Sequence, residues 1–108
     1  MASQSAAQPG RQDPVVVDSK HYTVELEDDK VRVLRIRYGP RERSVMHGHP
    51  ALVGVMLTDA HIRFTYPDGR IEDVSVKAGQ VLSFPALDHL PENLGDQALE
   101  VIAVELKV

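Results

Sequence analysis

The sequence predicts an all-β fold, a sandwich or barrel of roughly nine short strands, and three observations carry that prediction. Short alternating runs recur along the chain, as at Tyr22–Glu27, His61–Tyr66 and Ile71–Val76. Turn signals punctuate them at steady spacing: Asp28-Asp29, Gly39-Pro40, Pro67-Asp68-Gly69-Arg70 and Ala78-Gly79. No segment sustains the three-to-four residue apolar spacing, with caps, that would mark a helix.

Each element follows in order. Ala2–Asp13 is small and polar, with little to bury, and Pro14 closes it. Residues 1–14 are therefore expected to form an arm that reaches a partner subunit, or a tail, with the folded domain over 15–108. Val31–Tyr38 mixes Arg32, Arg35 and Arg37 with apolar residues, and its alternation slips at Val33-Leu34, which predicts a bulge or a change of face. Ser44–His49 is stopped by Pro50. Leu52–Leu57 is apolar at nearly every position, so both of its faces should be covered. Val81–Phe84 ends at Pro85, and Ala98–Val108 reads as a long closing strand.

Composition narrows the function. The 108 residues suit one domain with a real core. Without cysteine, any metal must be held by histidine or carboxylate. A formal net charge of −4 with mixed surface charge argues against nucleic acid or an anionic membrane as partner. No apolar run approaches the ~18 to 20 residues of a transmembrane helix, and Met1–Gln12 lacks the pattern of a secretory signal, so a cytoplasmic location is expected. His47 and His49, two residues apart, project to one face of an extended strand and aim two imidazoles at one point, and His89 is a third histidine in the same all-β chain. Two solvated histidines on an edge strand would look the same in sequence.

These motifs resemble those of small single-domain cupins, β-barrel jelly rolls (double-stranded β-helices) with a metal site inside. The second cupin motif is matched by Gly79, Pro85, His89 and Asn93, with Leu87 at a usual glycine and one residue fewer between Pro85 and His89. The first supplies His47 and His49, with Arg41 and Ala60 at its usual glycines, and the similarity runs from about Tyr22 to Lys107. It implies a divalent metal held by His47, His49 and His89. The usual glutamate ligand has no counterpart, because its two permitted places hold Val53 and Gly54.

Three neutral imidazoles leave the metal its full charge and favour an anionic, chelating small-molecule substrate. By analogy with three-histidine cupin dioxygenases the resemblance favours Fe(II), while Zn, Ni or Mn also fit, since imidazole does not choose among them. It implies a non-haem metal-dependent dioxygenase. A non-redox lyase or isomerase and a non-catalytic ligand-binding or sensor cupin are the alternatives. With Val53 at the ligand's place, Val53, Val55 and Leu57 are expected to line the pocket, and Leu52, Gly54 and Met56 to face outward against a second subunit as a homodimer. Arg35, Arg37 and Tyr38 are weighed as an anion clamp against a solvated arginine row. His21 and His61 are expected outside the site, Asn93 in a turn, and Asp88 and Glu92 in a loop around His89.

Overall fold

The computed structural model describes residues 12–107. Two antiparallel sheets pack face to face. One has five strands in the order β1-β2-β9-β4-β7: β1 Tyr22–Glu27, β2 Val31–Tyr38, β9 Leu99–Leu106, β4 Leu52–Met56 and β7 Val81–Phe84. The other has four, in the order β3-β8-β5-β6: β3 His47–His49, β8 Leu87–Asn93, β5 Ala60–Thr65 and β6 Ile71–Val76. The core between them holds Leu34, Leu52, Met56, Ile62, Phe64, Leu99 and Ala103. This is the two-sheet all-β fold expected from the alternation and the turns, in the jelly-roll form that the resemblance to cupins implies.

Local chemistry sets the corners. Asp28 Oδ1 accepts from the amides of Lys30 and Val31 at 2.8 and 2.9 Å, closing the β1–β2 turn. Gly69 and Gly79 turn at φ of +88° and +86°, which a side chain would strain.

Several details differ from the sequence expectation. The register shift lies in β1, between Val24 and Leu26, while β2 alternates without a break. The apparent slip at Val33-Leu34 arises because Arg32 is inward and buried at 7% exposure, with Val33 turned out. A single helical turn, α1 Pro14–Val17, is present; Asp13 caps it by accepting from Val15 N at 3.1 Å. Gln12 O accepts from Gly48 N at 2.8 Å and Pro14 is buried, so the folded domain begins before the expected boundary at 15. The rest of the expected arm, residues 1–11, lies outside the described residues. Among the described residues no helix is long and apolar enough to cross a membrane.

Strand β8 differs most from the sequence expectation. Residues 87–93 are a strand, not a loop, although Asp88, Pro91 and Glu92 interrupt its apolar pattern. Its period of two still holds: His89, Pro91 and Asn93 are buried, and the residues between them are less so.

Candidate metal centre

The site is built by the β3–β8 pairing. Antiparallel register sets His47 opposite His89, and His49 follows two residues later on the same face. Ring centroids lie 4.9 Å apart for His47–His49, 4.9 Å for His47–His89 and 5.2 Å for His49–His89, each pair close to perpendicular. One nitrogen from each lies within 4.8 Å of the others, and all three residues are buried. The structure therefore brings together the three histidines singled out from the sequence.

The Nδ1 atoms of His47 and His49 are engaged on the side away from the cluster. His47 Nδ1 lies 2.8 Å from Val45 O, which fixes a proton on Nδ1 because a carbonyl only accepts. His49 Nδ1 lies 2.6 Å from Glu105 Oε2. His89 stacks on Phe64 at 5.1 Å and 5°. Nε2 of His47 and of His89 are buried without a hydrogen-bond partner. Buried polar atoms in native proteins are nearly always satisfied, so two orphaned imidazole nitrogens facing one point fit a metal ion. A His-His-His group of this kind suits a divalent metal.

Burial, and then the charge on His49, holds the His47 imidazole down at about 4; burial, then His49 and His47, holds His89 well below the usual range. Both are neutral at pH 7, as ligation requires. For the metal-free protein this has a sign. The unfolded chain binds protons near pH 6.5, and the native state refuses them until about pH 4 at His47. Stability should therefore be level above pH 6.5 and fall as pH drops from there toward 4. Thermal melts of chelator-treated protein across that window check this, and a flat profile would contradict it.

The cavity beside the histidines encloses about 80 Å³. Leu52, Gly54 and Met56 line it, with Ile62, Phe64 and Phe84. This corrects the expected pocket wall of Val53, Val55 and Leu57. Val53 pairs with Val104 and Val55 with Ile102 on the outer face, half-buried, and Leu57 is 43% exposed. The inward place at the missing glutamate is Gly54, which has no side chain to offer, so Val53→Glu could not deliver a carboxylate to the histidines.

Of the two readings weighed for Arg35, Arg37 and Tyr38, the anion clamp does not form. Arg35 pairs with Glu25 and Glu100, and Arg37 with Glu100. Tyr38 alone of the three reaches the cavity, where its hydroxyl meets that of Tyr22 at 2.7 Å. Burial raises both phenols, so they stay protonated. His61 is exposed at the start of β5, away from the cluster. Asn93 bridges Gly39 O, Gln97 O and Gly95 N, holding a turn as expected while also lining the cavity.

Two features escaped sequence reading. His21, expected at the surface, is buried: it stacks on Tyr38 at 4.4 Å, and its nitrogens meet Asp18 at 2.8 Å and Glu42 at 3.0 Å. Ser44 Oγ donates to the same Asp18 and lies 3.3 Å from His47 Nδ1. The other feature is Glu105, fully buried on β9 behind His49. Their only sequence signal is a titratable residue inside a strand or beside one, which ordinarily reads as a solvated face.

No family model and no curated protein matches the chain. Solved structures do match. A cupin domain from Bordetella pertussis Tohama I aligns with a TM-score of 0.75 at 20% identity, covering 100% of this chain and 99% of that one. A predicted oxalate decarboxylase from Thermotoga maritima gives 0.60 at 22% identity over 81% and 79% of the two chains. The polyketide cyclase RemF from Streptomyces resistomycificus gives 0.59 at 17% over 79% and 63%. These likenesses establish architecture, and architecture hosts many chemistries. The chain has the cupin jelly-roll fold, and it carries within that barrel a three-histidine group suited to a divalent metal.

Proposed function

We propose that the protein is a metal-dependent enzyme that holds a divalent ion, Fe(II) by preference, on Nε2 of His47, His49 and His89, and that it is a dioxygenase of small chelating substrates with an apolar body. The observation that carries the reading is the pair of buried, unpartnered Nε2 atoms on His47 and His89. Bound there, Fe(II) would supply Lewis acidity and oxygen chemistry while leaving coordination positions for substrate.

The chain's own residues define what fits. The wall is aliphatic and aromatic, and neither lysine nor arginine lines the cavity among the described residues. A substrate's chelating oxygens must therefore be held at the histidine end, with its carbon skeleton against Leu52, Met56 and Phe64. An apolar oxygen chelator such as a β-diketone, enol or catechol is favoured over an amino-acid thiol, whose carboxylate would meet no basic side chain in the cavity wall. Tyr22 and Tyr38 offer neutral hydroxyls to orient it.

Oxygen uptake by Fe(II)-loaded protein with a panel of apolar and charged chelators tests this. Uptake with the apolar set supports the reading, and none with any chelator defeats it.

The His21–Asp18–Ser44 cluster favours a second reading, a non-redox lyase or isomerase, because it gives the site proton-handling groups behind Tyr38 and His47. Turnover under nitrogen with Zn(II) or Ni(II) would select it.

We also propose a homodimer, with its surface on the outer face of the five-stranded sheet. Val33, Val104 and Val53 stand in one row there, beside Ile102 and Val55. Ion pairs Arg35–Glu25 and Arg35–Glu100 flank the patch and offer both charge signs to a two-fold mate. Val53→Glu should then halve the mass seen by light scattering without disturbing metal binding. A wild-type monomer at micromolar concentration would contradict the proposal.

A further inference from the structure

Glu105 is not a ligand, yet it is bound to the site. Its Oε2 lies 2.6 Å from His49 Nδ1, and its Oε1 accepts from Arg32 Nε at 2.8 Å. The far side of the same guanidinium meets Asp13, Nη2 to Oδ1 at 2.9 Å and Nη1 to Oδ2 at 3.1 Å. Asp13–Arg32–Glu105–His49 is thus an unbroken chain from the cap of α1, through β2 and β9, to β3. Arg32 and Glu105 are buried, at 7% and 0% exposure.

We propose that Glu105 is a positioning residue for the metal centre, the displaced counterpart of the missing carboxylate ligand, acting through His49. The ring's two nitrogens diverge, so a carboxylate on Nδ1 cannot also reach an ion on Nε2. It holds the proton on Nδ1, turns Nε2 toward His47 and His89, and makes the imidazole a stronger donor. The charge count supports this over a purely structural ion pair. Arg32 is already shared by two carboxylates, so the triad Asp13, Arg32 and Glu105 carries one net negative charge. Glu105 is at 0% exposure while the Asp13 side chain is 21% exposed, so the negative charge least able to reach water is the one beside His49. A cation at the His49 ring answers it, a metal ion on Nε2 among them, and the site keeps its open coordination positions because the anion stands one residue back.

The inference rests on the metal-site reading, and the experiment separates the two. Full-length protein is stripped with chelator and titrated with Zn(II) by competition and with Co(II) by visible absorption, for the wild type, Glu105→Gln and His89→Gln. Glu105→Gln keeps the shape and the Arg32 contact and removes the charge. It should bind both ions roughly 10- to 100-fold more weakly, the range typical of such outer partners, and should shift the Co(II) bands. Wild-type affinity and spectrum in Glu105→Gln, with binding lost in His89→Gln, would overturn the Glu105 role alone. Failure of the wild type to bind either ion would overturn both. Nitrogen-15 NMR of the wild type gives a measurement independent of any variant. His49 should carry its proton on Nδ1 in the stripped protein, and a proton on Nε2 with Nδ1 bare would refute the role.

Discussion

Arg32→Ala should be the most destabilising single substitution in the described chain, lowering stability by about 3–5 kcal/mol, the cost of removing one partner from a buried ion pair. It leaves Glu105 buried against His49 with one partner fewer, and Asp13 without the guanidinium that holds its carboxyl below the usual range. Burial alone would push Asp13 up, and the hydrogen bonds and charge of Arg32 outweigh it. For a domain of this size each kcal/mol moves the melting temperature by roughly 4–8 °C, so a fall of about 12–40 °C is expected. The loss should spread beyond β2, because Asp13 also caps α1 and its neighbour Gln12 bonds Gly48, between the two β3 histidines. Arg32→Lys should recover only part, since an ammonium cannot present the fork that reaches both carboxylates. Urea melts measure this, and a loss below about 1 kcal/mol, the worth of an exposed pair, would refute it.

His89→Ala should abolish stoichiometric metal binding while leaving the fold intact. It removes one of three donors, and its ring is also the one stacked on Phe64. The remaining pair, His47 and His49, would bind a divalent ion at least about 100-fold more weakly, beyond the effect of losing an outer partner. In the metal-free state the same substitution deletes an imidazole that burial keeps neutral, so the acid-side loss of stability should become shallower. Equilibrium dialysis with Zn(II), beside far-ultraviolet circular dichroism, checks both halves. Unchanged affinity would place the metal elsewhere.

Much of this site is legible in the sequence. A His-x-His on a strand and a third histidine after Gly79 and Pro85 suffice to name the cluster, because strand periodicity fixes which side chains share a face. What is not legible follows from degeneracy. In Leu52–Leu57 both faces are apolar, so a period of two cannot say which looks inward; the pairing of Leu52 with Glu105 and Phe84 does. Strand β8 is hidden by Pro91, whose missing amide hydrogen and fixed φ speak against a strand. It is tolerated because the neighbouring β3 ends its pairing at His89. Arg32 and Glu105 read as solvated strand charges and are 73 residues apart, so their contact exists only once β2 and β9 are neighbours.

The central claim is that His47, His49 and His89 hold one divalent ion. X-ray absorption spectroscopy on untagged protein loaded with one equivalent of Zn(II) or Fe(II) tests it most directly. Three imidazole nitrogens per metal are expected, at about 2.0–2.1 Å for Zn(II), with the imidazole signature reduced in His89→Ala. A metal ligated mainly by oxygen, or a wild-type spectrum unaltered by His89→Ala, would contradict it.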